Sequence, residues 1–255
     1  MRKLIAFACE GETLAATLDE AAGTTGLLIV SGGNEIRSGA HRGMALLAQR
    51  LAATGTPVFR YDRRGVGDST GDNDGFLSAQ PDLIAAAAAF RQAAPHVTRL
   101  IGFGNCDAAS TLALFGRSAG IDRVVLANPW VVEPIDELPP AAAIRARYHA
   151  ALRDPATWRR AVMGKIDFAN FIRGLKKLSH PKNQEKNSLS ARVLTALAAW
   201  KSDATVILAS GDATAIAFAA AAGKAVAVET IETASHSFTG EAGTALETAI
   251  RRTLA

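Results

Sequence analysis

The run Ile101-Gly102-Phe103-Gly104-Asn105-Cys106-Asp107-Ala108-Ala109-Ser110 constrains the fold more than any other stretch of the chain. It opens as a buried-strand pattern, breaks at Gly104 and resumes as a small-residue helix. A strand-to-helix turn this sharp holds the residue at its apex in strained backbone and pushes that side chain out at the end of the sheet. Only small residues fit two positions to either side, and Gly104 and Ala108 meet that demand. The apex is Cys106, where such a turn ordinarily carries serine, so the stretch reads as a nucleophile elbow with sulfur in it.

The surrounding pattern agrees. Apolar runs at Gly26 to Val30, Val58 to Tyr61, Leu100 to Phe103, Val124 to Ala127, Val206 to Ala209 and Ala225 to Val228 read as near-continuous buried strands. Helical stretches lie between or after them at Met44 to Ala53, Leu83 to Ala94, Ala108 to Phe115, Ala213 to Ala222 and Glu241 to Leu254. Repeated β-then-α order implies an α/β fold: a mostly parallel sheet with helices on both faces. Leu4 to Ala8 and Leu14 to Leu18, joined around Glu10-Gly11-Glu12, read as a leading antiparallel hairpin, which brings the sheet to about eight strands.

The alternation fails between residues 132 and 201, where Pro134, Pro139 and Pro140 open a stretch of helical pattern without a convincing strand. The expected division is a core of residues 1–131 and 202–255 with a helical cap inserted at 132–201. In the cap, Trp158, Val162 and Ile166 recur every four residues, and Phe168, Phe171, Ile172 and Leu175 share a face. From Ala141 to Lys201 there are 13 Lys and Arg against three acids, so the cap carries about +10 and the rest about −6 of the net +4. Such asymmetry suits an anionic substrate, an acidic carrier protein or an anionic membrane surface. A solvated helix face accounts for it equally well, because long basic side chains cover apolar helices. Nucleic acid is not expected, since no binding motif accompanies the charge.

Composition excludes several classes. At 255 residues and 49% hydrophobic content the chain suits one domain with an insertion. No apolar run approaches the roughly 20 residues of a membrane span, so a cytoplasmic protein is expected. Its two cysteines, Cys9 and Cys106, are expected as free thiols, because pairing would consume the candidate nucleophile.

A thiol nucleophile needs a base, and the base needs an orienting carboxylate. In an elbow enzyme both come later in the chain, on loops after later strands. Asp212 follows the strand Val206 to Ala209 directly, and His236 lies between the last strand and the last helix. His41, His96, His149 and His180 do not follow the last strand; Glu133 and Asp136 remain rivals for the acid. The oxyanion hole is assigned to the backbone N–H of Asp107 and to a second N–H, of Gly33 or Asn34, from the turn Ser31-Gly32-Gly33-Asn34. The Asp107 side chain is expected to point away along its helix. His41, Arg42 and Trp130 are candidates for the pocket lining. No cofactor is implied, and no metal site, because the histidines and acids lack ligand spacing.

A family resemblance appears at these residues. Asp62-Arg63-Arg64-Gly65-Val66-Gly67-Asp68-Ser69 resembles the Asp-x-Arg-Gly-x-Gly-x-Ser signature of α/β-hydrolases, a sheet-end turn without a catalytic role. Gly104 to Ser110, Asn128-Pro129-Trp130-Val131, Trp158-Arg159-Arg160 with Gly164-Lys165, and Gly39-Ala40-His41-Arg42 together resemble the exosortase A system-associated hydrolase type 1 proteins, over essentially the whole chain. Members of that family are encoded near bacterial exopolysaccharide and PEP-CTERM protein-sorting genes. The resemblance implies an α/β-hydrolase fold and leaves the substrate undefined; the Cys106, His236 and Asp212 triad read from the residues is expected to act on a small-molecule or carrier-bound acyl group. Ser235 departs from the Asp or Gly that often precedes the histidine in this superfamily, which bears on the orientation of that loop. Hydrolysis of an ester, thioester or lactone, acyl transfer by the same triad, and noncatalytic binding on a hydrolase fold are the three activities this leaves open.

Overall fold

The computed structural model describes residues 1–133 and 188–255. Two strands, β1 (Arg2–Cys9) and β2 (Glu12–Asp19), form the leading hairpin. Its two-residue turn needs left-handed backbone at both positions, which Glu10 (φ 49°) and Gly11 (φ 88°) supply. Then come β3 (Thr25–Val30), α1 (Gly43–Ala53), β4 (Val58–Tyr61), α2 (Gln80–Ala93), β5 (Arg99–Asn105), α3 (Asp107–Phe115) and β6 (Arg123–Ala127). After the undescribed stretch follow α4 (Leu189–Trp200), β7 (Ala204–Ala209), α5 (Ala213–Ala222), β8 (Val228–Ile231) and α6 (Glu241–Leu254). The eight strands lie in the order β1-β2-β4-β3-β5-β6-β7-β8. β2 runs antiparallel to both β1 and β4, and every other neighbouring pair is parallel.

The period-2 alternation of each strand sorts the core into two layers. Leu28, Val30, Leu100, Val124, Leu126, Val206 and Leu208 face α2, α3, α4 and α5. Leu27, Ile29, Ile101, Phe103, Val125, Ile207 and Ala209 face α1 and α6. Helices on both faces are why the central strands are apolar at successive positions rather than at alternate ones.

Two expectations shift. The last strand begins three residues later than its apolar run. Gly223 (φ 54°) ends α5 and the Ala225 N–H donates to Ala222 O, so the first residues of that run are spent turning. β8 is an edge strand in which only Ile231 is buried, so apolarity marks it poorly. Helix α4, which the charge count places in the inserted segment, packs on α3 and buries Leu189, Val193, Leu197 and Trp200 in the core. Trp200 donates its indole N–H to Ala113 O at 2.9 Å, and Arg117 lies 4.1 Å over its ring. The expected cap helices, with Trp158, Val162, Ile166 and most of the basic residues, lie outside the described residues.

The Asp62 turn is structural. Asp62 is fully buried and accepts from the N–H groups of Arg37 and Asp68, while Ser69 bridges Asp62 O to the Ala15 N–H. Gly67 must be glycine there, since a Cβ would sit 2.4 Å from the Asp62 carboxylate. Among the described residues no helix is long and apolar enough to cross a membrane.

Candidate active site

Strand β5 ends at Asn105 and α3 begins at Asp107, which leaves Cys106 alone between them at φ 62°, ψ −126°. A non-glycine residue there costs of order 1–3 kcal/mol and persists only when its surroundings over-determine it. Here the Cys106 N–H donates to Ala127 O at 3.0 Å, and its C=O accepts from the N–H groups of Ala109 at 3.1 Å and Trp130 at 3.2 Å. The ends of β6 and α3 thus clamp the apex from two sides. Gly104 passes so close to α3 that a Cβ would fall 2.7 Å from the Ala108 carbonyl carbon, the origin of the small-residue demand. Both cysteines are free; Cys9 is buried and donates to Asp82 at 3.4 Å, and burial first, then the Asp82 charge, push its thiol up to about 11.

Asp212 sits where β7 runs into α5 and uses its carboxylate twice. Oδ1 caps α5 by accepting from the N–H groups of Thr214 and Ala215, both at 3.0 Å, and Oδ2 lies 2.9 Å from His236 Nδ1. Capping immobilises the carboxylate, and the immobilised carboxylate fixes the Nδ1–H tautomer, leaving Nε2 for the sulfur. Burial alone would raise the Asp212 carboxyl, but the His236 bond and the two backbone donors outweigh it and hold it below the usual range. His236 is pushed up to about 10, first by the Asp212 hydrogen bond and then by the Cys106 sulfur beside it. Both neighbours thus favour the charged imidazole, the form His236 reaches when Nε2 takes up the thiol proton.

Two asparagines fasten the histidine loop to the sheet. Asn128 (φ 43°), fully buried, accepts from the Ala209 N–H at 2.8 Å and donates to Asn105 Oδ1 at 3.1 Å. Asn105 in turn donates to His236 O at 2.9 Å. The ends of β5, β6 and β7 are thereby tied to the backbone of His236. Ser235 accepts from both the N–H and hydroxyl of Thr239, closing the turn after His236, and Phe238 anchors that turn in the core. In the sequence Asn105 and Asn128 stand only as motif letters; an amide at the carboxyl end of each of two adjacent buried strands is the signal that marks them.

The oxyanion turn departs from expectation. The Asp107 side chain does not point away along α3: both its oxygens accept from the Gly33 N–H, at 2.9 and 3.0 Å. The cause is a gap opposite, since a Cβ on Gly32 would lie 2.4 Å from Asp107 Oδ1. Arg63, buried to 3% exposure, donates to Gly33 O and lies 3.8 Å from Asp107 Oδ2. The Asp107 N–H is among the donors a helix start leaves open. Asn34 faces outward, with its side-chain oxygen accepting from Asn73 at 2.8 Å.

Of the pocket candidates, Trp130 is half-buried beside the elbow, its N–H on Cys106 O and its C=O accepting from Ser110. His41 and Arg42 occupy an exposed turn with left-handed backbone (φ 50° and 61°). That turn is tied down by Glu35, whose carboxylate accepts the Ala40 N–H at 2.7 Å. Glu35 was not singled out from the sequence; burial raises its carboxyl, and it feels the charges of both His236 and Asp107. Of the rival acids, Glu133 is used elsewhere, accepting the Leu189 N–H at 2.8 Å at the start of α4, and Asp136 lies outside the described residues. His96 bonds Ala21 O at 2.9 Å, whereas His149 and His180 lie outside the described residues. Among the described residues no cluster of three or more His, Cys, Asp or Glu side chains is arranged to hold a metal ion.

Comparison with solved structures gives the same architecture. The Pyrococcus furiosus esterase Pf2001 superposes with a TM-score of 0.64 at 17% identity, covering 100% of this chain and 90% of that one. The alpha/beta hydrolase GrgF from Penicillium sp. sh18 gives 0.64 at 15% identity, with 100% and 96% coverage. A thioesterase domain from the curacin biosynthetic pathway gives 0.58 at 13%, with 98% and 99% coverage. At such identities the likeness is one of fold. No curated protein matches the sequence significantly. The sequence profile of the alpha/beta hydrolase family matches residues 27–249, from β3 into α6, and the chain belongs to that family.

Proposed function

We propose that the chain is a cysteine-dependent hydrolase that cleaves an ester, thioester or lactone through a thioester acyl-enzyme on Cys106. One observation carries the reading: Cys106 stands at the strained apex of the elbow, beside a His236 whose Nδ1 is held 2.9 Å from the capped carboxylate of Asp212. The esterase and thioesterase among the structural neighbours make hydrolysis the reference chemistry for this fold.

The proton of the Cys106 thiol passes to His236 Nε2, and the N-terminus of α3 favours negative charge on the sulfur. The thiolate attacks the acyl carbon, forming a C–S bond while the carbonyl π pair moves onto oxygen. The pair returns as the bond to the leaving group breaks, and the His236 imidazolium protonates the departing oxygen or sulfur. Water then loses a proton to His236 and attacks the thioester; as the C–S bond breaks its pair returns to sulfur, which regains that proton from His236, and the acid and the enzyme are freed.

Sulfur also favours a second reading, acyl transfer, because a thioester yields more readily to amines and thiols than an oxygen ester does. The basic stretch 141–201 supports a carrier-bound or otherwise anionic acyl donor, an acidic carrier protein or an anionic membrane surface as partner. The resemblance to exosortase A system-associated hydrolases supports a role beside exopolysaccharide or protein-sorting enzymes. The test is partitioning: preformed acyl-enzyme is mixed with water alone, a primary amine or a thiol. Release of free acid at a rate indifferent to acceptor supports the hydrolase. Capture of the acyl group in proportion to acceptor supports the transferase, and no acylation of Cys106 by any activated ester removes both.

A further inference from the structure

The Gly33 N–H, which with the Asn34 N–H is one of the two donors that the loop after β3 can offer an oxyanion, already has an acceptor. Asp107 holds it with both carboxylate oxygens at 2.9 and 3.0 Å, within the 2.7–3.1 Å that a developing oxyanion requires. The contact is built in. Gly32 has no Cβ, which would lie 2.4 Å from Asp107 Oδ1. Arg63 reaches up from the Asp62 turn to bond Gly33 O and lies 3.8 Å from Asp107 Oδ2, and among the described residues its buried Nη1 has no hydrogen-bond partner. Glu35, the other acid near this spot, accepts the Ala40 N–H instead.

We propose that Asp107 is an internal occupant of the oxyanion hole, a carboxylate latch that must leave the Gly33 N–H before an acyl carbonyl can bind there. This deepens the reading of Cys106 as an acyl-accepting nucleophile and rests on it. When the thiolate attacks, the carbonyl π pair needs a donor where the carboxylate sits, and two anions cannot share one N–H. The latched site is slow toward acyl groups yet leaves the sulfur open to reagents that create no oxyanion. Asp107 is thus a positioning residue, acting on substrate through Gly33.

The test compares two reactions of the same sulfur in the wild type, Asp107→Ala and Asp107→Asn. Acylation is read from the p-nitrophenol burst with p-nitrophenyl acetate and needs the oxyanion hole; alkylation by iodoacetamide needs only the thiolate. Taking their ratio cancels any effect of the lost charge on the sulfur. The ratio is expected to rise at least about tenfold in Asp107→Ala, below the roughly 10²–10³ that one oxyanion donor supplies. Asp107→Asn keeps the shape but only a neutral acceptor, so its ratio rises less and in the same direction. Thermal unfolding checks both variants, and the asparagine variant decides if the alanine one does not fold. An unchanged or lowered ratio, with the wild type acylated, overturns the latch and leaves Asp107 as a tether of the Gly33 loop. Alkylation of all three proteins with acylation of none overturns the latch and the acyl-enzyme reading together.

Discussion

In Asp212→Asn the cap of α5 survives while the charge behind His236 is lost. Asparagine caps helices as well as aspartate, so the bonds to Thr214 and Ala215 persist and stability stays within about 0.5 kcal/mol of the wild type on that account. The His236 contact, screened because that side chain is 45% exposed, weakens in this variant and in Asp212→Ala alike and so does not separate them. Asp212→Ala loses the cap as well, at about 1 kcal/mol within a usual range of roughly 0.5–2. The two variants therefore differ in stability by about 1 kcal/mol, or roughly 2–4 °C in Tm for a domain this large. In function they agree. Without the carboxylate nothing fixes the Nδ1–H tautomer, and ester turnover falls by on the order of 10⁴ in both. His236 also loses the larger of the two contacts holding it near 10, so its titration moves down toward 6.5. Urea denaturation, p-nitrophenyl ester kinetics and an NMR titration of His236 read the three quantities. An asparagine variant that keeps more than about a tenth of the activity, or that is as unstable as the alanine variant, refutes the assignment of two jobs to this carboxylate.

Three further expectations follow from the same geometry. Because folding raises His236 from 6.5 to about 10, its contribution to stability is complete below pH 6.5 and is lost as pH rises through 10. Asp212, lowered on folding, contributes above pH 3.8 and loses that as pH falls through its folded value; Tm against pH should thus show an alkaline decline that His236→Ala flattens, and equal declines in both proteins would contradict the pairing. Gly104→Ala drives a Cβ against the Ala108 carbonyl and should cost about 1–3 kcal/mol in chemical denaturation; a change below about 0.5 would mean that the elbow is looser than its geometry. Asn128→Ala leaves the buried Ala209 N–H without its acceptor, at about 1–3 kcal/mol, and frees the His236 loop; full activity in a destabilised variant would show that the asparagine bridge does not position the histidine.

Where sequence and structure agree, the reason is local. Val58–Tyr61, Ala213–Ala222 and Glu241–Leu254 fall where expected because caps, glycines and burial all change at the same residue. Helix α2 starts three residues early because Pro81 is welcome in a first turn, and an apolar count overlooks it. The chain order Cys106, Asp212, His236 was legible because each follows its own strand, and strand ends on one side of a parallel sheet meet. The direction of the Asp107 side chain was not legible. It depends on a gap at Gly32 and on the Gly33 N–H, 74 positions away from Asp107, and no period or spacing encodes such a rotamer. Glu35 escaped notice for the same reason, since its neighbours are His236 and Asp107 only after folding.

Acylation of Cys106 is read from intact-protein mass after brief exposure to an activated ester. One acyl mass is expected on the wild type, localised by peptide mapping to Cys106 and discharged by hydroxylamine, with none on Cys106→Ala, which also loses ester turnover. An adduct on another residue, or ester turnover undiminished in Cys106→Ala, would contradict acylation at Cys106.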